Sequence, residues 1–350
     1  MVAPNSERVP APLPAADGPV SGLSIVVPLF NEAAGLAAFH TRLADCCRAL
    51  REKRGLKCEI VYVDDGSTDA TGAIAAQLPT TGADVQLVSL SRNFGKEAAL
   101  LAGLDYARLG AVLFIDGDGQ HPPALIETLV GHWLDDHYDV VFTAKEHRAN
   151  EPRTRRLGIK AFYALINWGA RQKIPEDASD FRLLSPRAAA ALRQLPERSR
   201  FFKGLASWIG FRQKRVDYSP DERMHGSTSW NIRALIGLSV EALTSFTVAP
   251  LRLASLLGLL LAAGALVFGV WMLIEAFVHE RTVPGYSSLI VGVMVIGGVQ
   301  LLMIGIMGEY IGKILSELKA RPVYFVAEHQ VKRADAGEDG AAEPTRAAAE

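Results

Sequence analysis

Cysteine is scarce in this chain. Its three thiols, Cys46, Cys47 and Cys58, in 350 residues have no C-x-x-C spacing, so neither a disulfide framework nor a zinc cluster is expected, and they read as buried or free thiols in a reducing compartment. Surplus charge of one sign is also missing. The 37 basic and 38 acidic residues leave a formal net charge of -1, which removes any global field for nucleic acid and makes every charge argument local. Residues 1–20 are rich in Pro and Ala and lack the apolar core of a signal peptide, so they read as a disordered lead-in. The turn PLFNEAAG after the first apolar run carries no G-x-G-x-x-G, and no phosphate-loop signature occurs, which argues against a dinucleotide enzyme and a common NTPase.

What is present is an alternation. LSIVVPLF (23–30), EIVYVDD (59–65), VQLVSLS (85–91) and AVLFIDGD (111–118) are short, β-branched runs separated by helical stretches such as 33–51 and 96–107. That rhythm predicts an α/β fold with a mostly parallel sheet and helices on both faces. Ligands bind such sheets at the carboxyl ends of the strands. The polar clusters fall there: Asn31 and Glu32, Asp64 to Asp69, Arg92 to Lys96, and Asp116 to Gln120.

The composition shifts near residue 250. Leu253 to Ile274 and Tyr286 to Gly308 run without a charge, and at ~1.5 Å per residue each can cross a ~30 Å hydrocarbon core. Arg233 and Arg252 precede the first run, and Lys313, Lys319 and Arg321 follow the second. The positive-inside rule therefore places both flanks, and with them the large N-terminal part, in the cytoplasm of a two-span inner (plasma) membrane protein. The resulting division is a catalytic part over 21–229, an amphipathic interfacial helix over 230–250, a two-helix membrane region over 251–312, and a juxtamembrane segment with a disordered tail over 313–350. Gly258, Gly264, Gly269, Gly292, Gly297 and Gly298 permit close helix packing within or between chains, which leaves a homo-oligomer open.

In LFIDGDGQHPP, Asp116 and Asp118 stand at i and i+2, which on an extended strand end projects both carboxylates to one side. Converging carboxylates call for a cation, and Gln120 adds a neutral oxygen, a donor set suited to a hard divalent ion that keeps positions open for a diphosphate. A calcium loop is the rival, but its sixth position would be His121 rather than glycine. A turn with solvated acids is the other alternative.

The set VVPLFNEAAG, VDDGSTD, SRNFGKEAAL, IDGDGQHPP, ASDFRLLS and RMHGSTSW resembles the inverting family-two glycosyltransferases, in the subgroup that moves a sugar from a nucleotide to a polyprenyl phosphate. The resemblance implies a GT-A fold with Mg²⁺ or Mn²⁺ on the diphosphate of a nucleotide sugar. Asp118 and Gln120 resemble direct metal ligands, with Asp116 against ribose and metal. Pro28, Asn31 and Glu32 correspond to the nucleoside-binding turn, Asp65 or Asp64 to the acceptor of the base N–H, and Lys96 and Arg223 to further nucleotide-sugar contacts. RMHGSTSW departs from the commoner family ending, which has a lysine and an aromatic where Ser229 and Trp230 stand.

The basic stretch from Lys145 to Lys160 is a solvated charge run or a cradle for a lipid phosphate. The family places acceptor contacts there, which favours Arg148, Arg155 and Arg156, with Lys160 beside them. Asp180 aligns with the position usually assigned as catalytic base. The implied reaction is transfer, with inversion, of glucose from UDP-glucose to undecaprenyl phosphate; other UDP- or GDP-sugars stay open. A processive polysaccharide synthase would carry Q-x-x-R-W and more spans, and a scaffold that had lost catalysis would be expected to have lost one of Asp65, Asp116, Asp118, Gln120 or Asp180.

Overall fold

The structure is a computed structural model and describes residues 22–145, 178–198, 202–218, 249–279 and 285–334. Its centre is an eight-stranded sheet in the order β7-β5-β6-β4-β1-β2-β3-β8. Strands β1 (Gly22–Leu29), β2 (Lys57–Asp64), β3 (Asp84–Leu90) and β4 (Ala111–Phe114) form its parallel core. Strand β5 (Val140–Lys145) runs parallel to β7 (Gln213–Tyr218), whereas β6 (Ala178–Leu184) lies antiparallel between β4 and β5.

The core strands are buried residue after residue, with Ser24, Glu59 and Gln86 as buried polar members, because both faces of the sheet are covered. Leu23, Ile25, Val27 and Leu29 of β1 face α1 (Leu36–Arg54) and α4 (Leu125–Leu134), while Val26 faces α3 (Lys96–Tyr106), α5 (Pro186–Arg193) and α6 (Phe202–Trp208). Helix α3 sits so close to β1 that a Cβ on Gly103 would lie 2.1 Å from Val26 Cγ1. Helix α1 ends at Gly55, whose φ of 64° lets its N–H turn back to cap the helix. A short α2 (Thr71–Gln77) links β2 to β3.

Two long helices follow, α7 (Ala249–His279, 31 residues) and α8 (Tyr286–Leu318, 33 residues). Both are long and apolar enough to cross a membrane, and their apolar side chains face outward, Leu301 being 72% exposed. Of the six glycines singled out in these runs, Gly258 alone has a neighbouring atom within 4 Å of a built Cβ, Met303 Cε at 3.8 Å.

After α8 the chain returns to the sheet. The Arg198 amide donates to the Glu317 carboxylate at 3.0 Å, and Ser91 N donates to Phe325 O at 2.9 Å. Strand β8 (Val326–Lys332) then pairs antiparallel with β3. A juxtamembrane segment was expected here; the structure makes part of it the edge strand of the main sheet. The expected interfacial helix lies outside the described residues up to residue 248, and residues 249 and 250 begin α7.

Candidate active site

The carboxyl ends of β1 and β2 are stitched together by polar side chains. Asn31 takes a left-handed φ of 58°. Its amide donates to Ser67 Oγ at 3.0 Å and its side-chain oxygen accepts from Thr68 N at 2.9 Å. Glu32 N donates to Thr71 Oγ1 at 2.9 Å. Pro28, paired with Val63, and exposed Phe30 lead into this turn. The turn after β1 is thus held open by the segment after β2, as expected of a loop that frames a ligand on a rigid scaffold.

The two aspartates that follow β2 do different work. Asp64 accepts from Ser67 N at 3.0 Å and shapes its own turn. Asp65, 3% exposed, receives Phe94 N at 2.7 Å on one oxygen and Gly95 N at 2.9 Å on the other. Burial pushes the Asp65 carboxyl up, and these two amides oppose that shift. Gly66, at φ 67°, passes so close to the 92–93 backbone that a Cβ there would meet Arg92 C at 2.5 Å. Asp65 therefore braces the loop after β3, and a base N–H would have to share an oxygen that already accepts a backbone hydrogen bond.

The DGDGQ segment departs from the expected strand geometry. Strand β4 stops at Phe114, and Gly117 to Gly119 turn away with φ 74° at Gly119, so strand alternation does not set the directions of Asp116 and Asp118. Asp116 is directed instead by β6. The antiparallel register pairs Phe114 with Arg182, so two residues onward from one and two residues back from the other bring Asp116 opposite Asp180. The Lys96 ammonium closes the gap, 2.6 Å from Asp116 Oδ1 and 2.7 Å from Asp180 Oδ2. The resemblance implies a nucleotide-sugar contact for Lys96; here its ammonium engages two carboxylates, which leaves one of its three N–H donors for another partner.

The electrostatics follow from this bridge. Burial opposes ionisation of both acids, and the Lys96 ammonium overrides it, holding Asp116 at about 2 and Asp180 well below the usual carboxylate range. The same two carboxylates hold the lysine charged against its own desolvation, well above its ordinary value. The other Asp116 oxygen lies 3.3 Å from His121 Nε2, and His121 Nδ1 lies 2.9 Å from Tyr218 Oη at the end of β7. Asp118 Oδ1 accepts from Gln120 N at 3.0 Å.

Asp116, Asp118 and Gln120 supply oxygen donors only, which suits Mg²⁺ or Mn²⁺ rather than a softer ion. Among the described residues no three His, Cys, Asp or Glu side chains converge as a metal cluster. Asp116 is tethered at both oxygens, one on Lys96 and the other on His121.

Arg148, Arg155, Arg156, Lys160 and Arg223 lie outside the described residues. Three residues not singled out from the sequence join the site. Besides Tyr218, these are Glu97, whose carboxylate accepts from Phe202 N at 2.9 Å, and Lys203, 3.6 Å from Asp180 Oδ1. The sequence marked Glu97 by its place after Lys96 and Lys203 as a lysine alone in the apolar stretch FFKGLASW, and gave no signal for Tyr218.

Residues 24–192 match the family described as Glycosyl transferase family 2, and residues 249–314 match the GtrB C-terminal hairpin. A prophage bactoprenol glucosyl transferase homolog of Escherichia coli is 38% identical over 87% of this chain and 98% of its own length. A bactoprenol glucosyl transferase of Shigella phage SfII is 40% identical over 87% and 97%. An uncharacterized glycosyltransferase of Synechocystis is 38% identical over 87% and 95%. A solved structure of glucosyl-3-phosphoglycerate synthase from Mycobacterium tuberculosis aligns with 64% of this chain and 78% of its own at 19% identity and TM-score 0.41. With similarity that runs through both the sheet domain and the apolar hairpin, the chain belongs to glycosyl transferase family 2, among the members that carry the GtrB C-terminal hairpin.

Proposed function

We propose that this protein transfers glucose from UDP-glucose to a polyprenyl phosphate, with inversion, at the cytoplasmic face of a membrane. The observation that carries the reading is end-to-end similarity to bactoprenol glucosyl transferases, through the domain that holds Asp116, Asp118 and Asp180 and through the hairpin. The outward apolar faces of α7 and α8 support a membrane location. Topology is supported by β8: the segment after the second span is a strand of the catalytic sheet, so a chain that crosses twice has both flanks on one side, with Lys319 and Arg321 there.

In the proposed reaction the bond between the sugar C1 and the UDP oxygen breaks as a bond from C1 to the acceptor phosphate oxygen forms on the opposite face. Asp118, Gln120 and the tethered Asp116 would hold Mg²⁺ or Mn²⁺, which when bound neutralises charge gathering on the departing diphosphate. The loop that Asp65 braces and the turn at Asn31 and Glu32 frame the nucleoside. Asp180 is a poor proton acceptor, since Lys96 holds its carboxyl low. The acceptor needs little help, because a phosphate monoester with a second pKa of about 6 is mostly ionised at neutral pH. Asp180 and its lysine partner therefore orient the acceptor rather than deprotonate it.

The test is transfer from radiolabelled UDP-glucose into undecaprenyl phosphate in detergent, with Mg²⁺, Mn²⁺ or EDTA. One mild-acid-labile glycolipid that disappears with EDTA is the expected product. Polymer, or no lipid product from UDP-glucose while another donor supports transfer, overturns the reading.

A further inference from the structure

Asp180 is flanked by two lysines in different states. Lys96 is engaged twice, its ammonium 2.7 Å from the Asp180 carboxylate and 2.6 Å from that of Asp116. Lys203 reaches Asp180 Oδ1 only at 3.6 Å, beyond hydrogen-bond length, and its side chain is 25% exposed. The Asp180 oxygen on that side is enclosed and accepts no hydrogen bond among the described residues. An ammonium carries three donors, so Lys203 has donors to spare beside the carboxylate that the proposed reaction places next to the acceptor.

The position of Lys203 is built. Helix α6 begins at Phe202, whose amide is held by the Glu97 carboxylate at 2.9 Å. The Phe202 ring packs edge-on against Phe114 at the end of β4, with centroids 5.1 Å apart, and Leu205 is buried below. The first turn of α3 therefore sets both lysines, Lys96 directly and Lys203 through Glu97. A phosphate monoester arriving at Asp180 would meet the negative charges of Asp116 and Asp180, against which Lys96 and Arg182 already act. A second ammonium, held close but not consumed, lowers that repulsion further.

We infer that Lys203 binds the phosphate of the acceptor, beside Asp180. This rests on the transferase reading above and adds a residue on α6 to the acceptor site. Loss of Lys203 then weakens acceptor use selectively, because Lys203 touches neither the Asn31 turn nor the loop braced by Asp65.

The experiment uses the full-length protein in detergent with saturating UDP-glucose and farnesyl phosphate as a short acceptor. Lys203→Met should raise the KM for farnesyl phosphate about tenfold or more, leave the Kd for UDP within about twofold by calorimetry, and be largely rescued in Lys203→Arg. In the wild-type protein, farnesyl phosphate should protect Lys203 from amine acetylation, read by mass spectrometry, and UDP alone should not. An unchanged acceptor KM with reduced kcat would reduce Lys203 to a support for Asp180, and an equal loss of UDP binding would move it out of the acceptor site. Absence of protection overturns the assignment even if Lys203→Met fails to fold. Failure of the wild-type protein to glucosylate any prenyl phosphate would instead overturn the transferase reading, and this assignment with it.

Discussion

Tyr218 Oη lies 2.9 Å from His121 Nδ1, so the last residue of β7 touches the ring whose other nitrogen faces Asp116. Asp116 is ionised and can only accept, so Nε2 carries a hydrogen, and in the neutral ring Nδ1 accepts from the tyrosine. Burial pushes the Tyr218 hydroxyl up to about 12, so it remains a donor throughout the neutral range. Tyr218→Phe removes that donor at a folding cost of about 1 kcal/mol and frees the ring to turn. The expected result is a severalfold higher Mn²⁺ requirement for UDP-dependent activity. An unchanged metal titration would mean that His121 does not orient Asp116.

Asp118 stands in the same turn but outside the Lys96 bridge. Asp118→Asn keeps the shape and removes the charge. Activity should fall by about a thousandfold, the scale of losing a charge that stabilises the departing group, and metal-dependent UDP binding should be lost with it. Calorimetry of UDP with and without Mn²⁺ checks this: binding that keeps its metal dependence would place the metal elsewhere.

How much of this was readable beforehand depends on the range of each interaction. The strands through β4 were legible because LSIVVPLF, broken only by Ser24, and AVLF are runs of apolar residues, the mark of strands covered on both faces. The positions of Asn31, Asp65 and Asp116 followed, since they sit where those runs stop. The Lys96 bridge to Asp180 joins residues 84 apart, and the Glu97 contact to Phe202 joins residues 105 apart; no local pattern carries such pairings. Strand β8 was hidden for a related reason. VAEHQVK is half-exposed and polar, as an edge strand should be, and nothing in it names β3 as its partner.

Glu97 makes stability depend on pH. Burial raises its carboxyl from an unfolded value of 4.5 to about 7, with the Asp180 charge adding to the rise and the Phe202 amide, Lys96 and Lys203 opposing it. The folded state thus binds more protons than the unfolded state between these values. Stability from this group is fully present below 4.5 and is lost as pH rises through 7, by roughly 1–3 kcal/mol. Melting temperature in detergent should therefore fall from pH 5 to pH 8 more steeply in the wild-type protein than in Glu97→Gln. Parallel curves would mean that the carboxyl titrates normally.

The return strand couples the hairpin to the loop after β3 that Asp65 braces. Phe325 O accepts from Ser91 N, and its ring lies 6.3 Å from that of Phe94, whose amide is the one Asp65 holds. Lys332 Nζ donates to the carbonyls of Ala76 and Leu78, tying the far end of β8 to the close of α2. Ending the chain at Ala320 removes these contacts and exposes the β3 edge, while both long helices stay whole. The truncated protein should still fractionate with membranes but melt several degrees lower, aggregate more readily through the uncovered edge, and show a KM for UDP-glucose raised above the wild-type value while that for the lipid acceptor changes less. A donor KM that stays at the wild-type value would mean that Asp65 alone holds the loop and that β8 serves only to cover the edge of the sheet.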